Sequence, residues 1–111
     1  GRIIFSSCVG VKFGGGSNSL IYSLTKHMNE FFMSEYKKYY NQNILINTLR
    51  IGVTDTKIHK GIKNKNLKKR IKLIPINRIA KASEVANYLY FYGTDQNSLT
   101  TNSIIEITGG E

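Results

Sequence analysis

"ILINTLRIGVTDT", residues 44–56, decides the fold. Ile44, Leu45, Ile46, Leu49 and Ile51 form a near-continuous apolar run, with hydrophobic residues on both sides of an extended chain. A strand with one wet face alternates polar and apolar residues; a run like this marks a parallel strand with helices over both faces. Gly52 then opens the polar turn "GVTDT", which ends it.

Upstream, "RIIF" (residues 2–5) is a second short apolar run, and "SSCVG" carries it into a loop. "VKFGGGSNS" (residues 11–19) reads as loop, with Asn18 or Ser19 placed to cap the helix after it. Leu20, Leu24, Met28, Phe31, Phe32 and Tyr36 recur at three- and four-residue spacing, which predicts a long amphipathic helix over residues 20–40 that "NQN" breaks. Downstream lies a lysine-dense stretch with weak helical periodicity at Ile58, Ile62, Leu67 and Ile71. Ser83 and Glu84 begin a helix that ends near Gly93, and "NSIIEITGGE" (residues 102–111) is a last strand with a glycine pair.

Strand, helix, strand, helix, strand is the pattern of βαβ units, hence a parallel sheet with right-handed crossovers. Ligands of such sheets bind beyond the carboxyl ends of the strands. Ser6 and Ser7 lie at one such end, the turn of residues 52–56 lies at the next, and the helix bearing Tyr22 and Lys26 starts from the same rim. Ser7, Tyr22, Lys26 and that turn therefore converge. By itself, a Tyr-x-x-x-Lys match arises by chance roughly half the time or more in a chain of this composition.

With 111 residues the chain is one domain or part of one. One cysteine, Cys8, excludes an internal disulfide and suits a reducing compartment. No apolar run approaches the roughly 18 residues of a membrane span, so a soluble cytoplasmic protein is the expectation. A net charge of +9 favours an anionic partner: a phosphorylated cofactor, an acidic carrier protein or nucleic acid. The chain starts directly on a strand-like run and reads as part of something longer. His27 and His59, with one cysteine, make no metal set, and none is expected.

Taken in order, "GRIIFSSCVG", "YSLTK", "ILINTLRIGVTDTKI", "IPINRIAKASEVANYLYF" and "IIEITGGE" resemble the C-terminal half of a short-chain dehydrogenase/reductase, nearly end to end. The resemblance implies a Rossmann-like α/β fold, of which residues 1–111 are the C-terminal part of one doubly wound domain. It implies NAD or NADP as cofactor and a catalytic set of Ser7, three residues before Gly10, with Tyr22 and Lys26. Tyr22 and Lys26 would also bind the cofactor, Lys26 through the nicotinamide ribose, with backbone near Thr54 on the carboxamide and Gly52 and Thr56 in the turn that supports it. A mobile substrate lid would span residues 54–74, and the helix over residues 20–40 would make a homo-oligomer interface.

The chemistry suits these residue types. Carbonyl reduction needs a proton for the developing alkoxide, and a tyrosine of pKa about 10 yields one reluctantly near neutral pH. A lysine ammonium one turn away, with the positive end of the helix, favours tyrosinate. Ser7 would hydrogen-bond the substrate oxygen.

Plainer readings stand beside each of these. Tyr22 and Lys26 alone would be a surface pair, Ser7 a serine serving its own backbone, and residues 57–72 a solvated basic face. The Gly14, Gly15, Gly16 run lacks a dinucleotide fingerprint and reads as a flexible loop on the substrate side. Two departures from the family pattern stand out: Ile51 replaces the proline of the turn, and Ser7 and Tyr22 lie fifteen residues apart, slightly wider than usual. The dinucleotide fingerprint, the residue separating NAD from NADP and a catalytic asparagine would lie in the missing N-terminal half. The chain alone is thus expected to associate or be poorly stable, through an open first-strand edge, and to turn nothing over. The resemblance implies a small carbonyl or alcohol substrate, and the basic lid leads one to expect an anionic one: a sugar nucleotide, or close behind it a 3-oxoacyl carrier-protein thioester. A catalytically inactive homologue and, below it, a basic nucleic-acid-binding module are the alternatives.

Overall fold

The computed structural model describes residues 1–61 and 66–111. Ile62, part of the weak periodicity, and the rest of residues 62–65 of the expected lid lie outside the described residues. β2 (Leu45–Ile51) is the central strand, flanked by β1 (Arg2–Cys8) and β5 (Ser103–Ile107), both parallel to it. Five successive residues, Leu45, Ile46, Asn47, Thr48 and Leu49, are buried, as a strand covered on both faces requires. Its two polar members are satisfied. The Asn47 side-chain amide donates to the Thr100 carbonyl at 2.8 Å and accepts from the Ser103 N–H at 3.2 Å, while the Thr48 hydroxyl reaches the Asn29 carbonyl at 3.5 Å.

α1 (Leu20–Glu35) packs on β1 and β2, but not with the residues whose spacing predicts it. Ser23, Glu30 and Met33 are buried on its inner side, whereas Leu20, Leu24, Met28, Phe31 and Phe32 are exposed. The helix is also shorter than expected. It tightens into a 3-10 helix at Tyr36–Gln42, where Tyr36 stacks on Phe5 with ring centroids 5.9 Å apart. Asn43, at φ 55°, closes that segment, a left-handed conformation that asparagine tolerates. The stretch after β1 is likewise not plain loop, since Val9–Phe13 form a 3-10 helix ended by Gly14 at φ 70°.

Gly52 is required by proximity, because a Cβ there would sit 2.8 Å from the Thr108 Cα and 3.1 Å from the Ile107 carbonyl oxygen. Its N–H donates to that same carbonyl at 2.9 Å, fastening the end of β2 to the end of β5. Gly52→Ala must push two backbones apart and is expected to cost about 1–3 kcal/mol. An unchanged denaturation midpoint would show that the contact is slack.

Beyond Gly52, β3 (Thr54–Asp55) pairs in parallel with β4 (Ala80–Lys81), a two-stranded sheet too short to leave a periodic trace. Between them lie a 3-10 turn (Lys57–Gly61) and α2 (Leu67–Ile71), the latter capped by the Asn66 side chain, which accepts from the Lys69 N–H at 3.0 Å. α3 (Ala82–Gly93) follows the expected bounds, shifted by one residue at its start. Glu84 holds that start: it accepts from the Lys81 N–H at 2.7 Å and from both terminal Arg78 nitrogens at 2.8 Å. The Arg78 guanidinium, then the Lys81 N–H, bring its carboxyl down to about 2. Among the described residues no helix is long and apolar enough to cross a membrane.

Candidate active site

At the carboxyl rim of β1 and β2 a cavity of about 340 Å³ opens, lined by Ser7, Cys8, Tyr22, Gly52, Thr54 and Thr56. Parallel pairing makes it. Ser7 stands opposite Arg50 in register, so β1 and β2 end side by side, and α1 begins above them. The rim argument thus brings together Ser7, Tyr22 and the turn. The volume falls at the low end of the roughly 300–1,000 Å³ of small-molecule sites.

Lys26 lies one turn further along α1. Its ammonium donates to the Ser6 carbonyl at 3.3 Å and sits 5.8 Å from the centre of the Tyr22 ring. That geometry does not lower the Tyr22 pKa as expected. Partial burial first, and then the neighbouring Cys8 thiol, push the phenol above its ordinary 10. The Lys26 ammonium, held by the Ser6 carbonyl, does not offset that rise.

Ser7 is only 2% exposed, and its hydroxyl donates to Glu30 Oε1 at 2.6 Å. Arg50 grips the same carboxylate twice, Nε to Oε1 at 2.9 Å and Nη2 to Oε2 at 2.7 Å. Its remaining nitrogen, Nη1, reaches Glu106 Oε1 at 2.5 Å, and Lys12 holds Glu106 Oε2 at 3.1 Å. Ser7, Arg50 and Glu106 occupy one rung across the three strands, and Glu30 descends onto it from α1. Burial pushes the Glu30 carboxyl up, but the hydrogen bonds from Arg50 and Ser7 outweigh it and leave it below the ordinary 4.5.

In the turn, the Thr54 hydroxyl donates to the Gly52 carbonyl at 3.1 Å, and a His59 ring nitrogen lies 2.7 Å from the Thr54 carbonyl. His59 and Arg70 also line the cavity. Among the described residues no group of three His, Cys, Asp or Glu side chains could hold a metal. The donor set fits one end of a nicotinamide nucleotide: a phenol, a nearby ammonium, two threonines and a turn without a side chain at Gly52. Periodicity and motif spacing do not single out Cys8, Glu30 or Arg50. One signal does point to the ion pair, since an arginine inside a strand buried on both faces demands a buried acid.

The family model described as enoyl-(acyl carrier protein) reductase matches residues 1–111. The 3-oxoacyl-(acyl-carrier-protein) reductase FabG of Aquifex aeolicus is 31% identical over 111 residues, covering 99% of this chain and 44% of that protein. Its Buchnera aphidicola counterpart is 28% identical over 111 residues, covering 99% and 45%. The chain therefore spans less than half the length of these relatives. Among solved structures, a variant of a Serratia marcescens short-chain dehydrogenase/reductase superposes with a TM-score of 0.85 at 20% identity, over 99% of this chain and 45% of that one. Levodione reductase superposes at 0.84 with 24% identity, over 99% and 46%.

Proposed function

Because the chain belongs to the short-chain dehydrogenase/reductase family, we propose that it carries the catalytic and substrate-facing half of an NAD(P)-dependent carbonyl reductase. In this reading residues 1–111 are the C-terminal portion of one Rossmann-like domain, residues 54–74 its lid, and the dinucleotide fingerprint belongs to sequence outside the chain. The observation that carries the reading is the meeting of Ser7, Tyr22, Gly52, Thr54 and Thr56 in one cavity, with Lys26 a turn away.

Tyr22 delivers the proton to the substrate oxygen, and its raised pKa keeps it in the donor form at neutral pH. Ser7 holds that oxygen, Lys26 steadies the ribose hydroxyls, and the turn at Gly52, Thr54 and Thr56 receives the carboxamide. NADH or NADPH, when bound, supplies the hydride. The relatives' names favour a 3-oxoacyl thioester as substrate over a sugar nucleotide, and an acidic carrier would suit a chain of net charge +9. The exposed apolar residues of α1 support pairing with a second copy.

Fluorescence titration of NADPH and NADH tests the reading, comparing this chain with one extended through the missing half. Binding by the extended chain alone is the expected result. If neither chain binds, the likeness is one of fold only, and the basic residues of the lid become the place to seek another partner. An inactive homologue is the second reading, favoured by the commitment of the Ser7 proton to Glu30. Dinucleotide binding without turnover identifies it.

A further inference from the structure

Ser7 has one proton, and the structure accounts for where it goes. A serine hydroxyl donates once and accepts twice. Here the donation runs to Glu30 Oε1 at 2.6 Å, within the short range of a hydroxyl bound to a carboxylate. Glu30 cannot reverse that bond while ionised, and the two Arg50 contacts, themselves braced by Glu106 and Lys12, hold it ionised. His27 is the other ionisable group near the carboxylate, with Nδ1 3.7 Å from Oε2. What Ser7 offers the cavity is therefore lone pairs.

We propose that Glu30, gripped by Arg50, is a positioning residue that fixes Ser7 as a hydrogen-bond acceptor, so that the site prefers the alcohol form of its substrate to the carbonyl form. The inference rests on the reductase reading above and goes beyond it. An alcohol can donate to Ser7 as it stands. A carbonyl oxygen can only accept, so to engage it Ser7 must leave Glu30 and strand a buried carboxylate one bond short.

Removing the pair reverses the preference by a defined route. Glu30→Leu with Arg50→Leu takes away the acceptor of the Ser7 hydroxyl and the cation that needed it, releasing the serine proton to the cavity. The overall equilibrium is unchanged by any substitution, so the effect appears in affinities: KM and inhibition constants for the two substrate forms, with kcat compensating. The probes are an acetoacetyl thioester and its 3-hydroxybutyryl counterpart, used on the protein extended through its N-terminal half. The Glu30→Leu, Arg50→Leu protein is expected to weaken the hydroxy form relative to the oxo form by about tenfold, the scale of one hydrogen bond. Combined with Ser7→Ala it is expected to change nothing further, because the carboxylate acts through the serine.

An equal shift with and without the serine overturns the proposal, as does no shift in either. A second readout needs no turnover. By carbon-13 NMR titration, Ser7→Ala is expected to raise the Glu30 carboxyl pKa, and an unmoved pKa overturns the proposal whatever the kinetics. Failure of the unaltered extended protein to turn over either thioester counts instead against the proposed function.

Discussion

Tyr22→Phe, made in the extended chain of the proposed reading, is expected to lower turnover by about 10²–10⁴-fold while dinucleotide affinity stays close to that of the parent. The exchange removes one oxygen from a half-exposed ring at the mouth of the cavity, so nothing in the packing of α1 needs to change. The proton that meets the developing alkoxide must then come from water, at a position no residue controls. Lys26 keeps its bond to the Ser6 carbonyl in the variant and continues to serve the ribose. Steady-state oxidation of NADPH beside the binding titration separates the two effects. Turnover within tenfold of the parent would remove Tyr22 from the chemistry, and no turnover by the parent itself would identify the inactive homologue.

The largest loss of stability is expected at Glu30. Glu30→Ala takes two of the three hydrogen bonds from the Arg50 guanidinium and leaves it only Glu106, which Lys12 shares, and is expected to cost about 3 kcal/mol. Replacing both members, Glu30→Leu with Arg50→Leu, is expected to recover most of that, because the expense lies in the unpaired charge and not in the absence of the pair. Urea denaturation of both variants decides it: a double variant no better than the single one refutes the account. The same ion pair predicts an acid effect. Glu30 titrates below its ordinary 4.5 in the folded state, so the unfolded chain binds the proton more readily. Its contribution is complete above that ordinary value and disappears as pH falls through the lower folded one.

Much of the fold is legible in residues 44–56, for a physical reason. Burial on both faces of β2 leaves a trace in composition, and Ile46 and Leu49 are fully buried where the apolar run demands it. The position of Ser7, Tyr22, Gly52, Thr54 and Thr56 at one rim follows from parallel topology alone. The orientation of α1 does not. A stripe of Leu20, Leu24, Met28 and Phe31 has the same period whether it faces a sheet or faces outward, and of the three buried residues on the sheet side, Ser23 and Glu30 are polar, leaving Met33 alone to carry an apolar signal there. The link from Glu30 to Ser7 joins residues 23 apart in sequence through a hydrogen bond, which no periodicity records. Only Arg50, a charge inside a buried strand, hints at it. The Tyr22 pKa departs from expectation because partial burial and the Cys8 thiol raise it, and Tyr-x-x-x-Lys spacing records neither.

The outward face of α1 also bears on assembly. If a second copy covers Leu20, Leu24, Phe31 and Phe32 across a two-fold axis, each side chain meets the same helix running the opposite way, and every substitution enters the interface twice. A polar residue drawn onto this helix would then count double against assembly, and a well-chosen apolar one would count double in its favour. Symmetry would make α1 the most sensitive surface of the molecule, although these side chains are not among those that line the cavity at the strand ends.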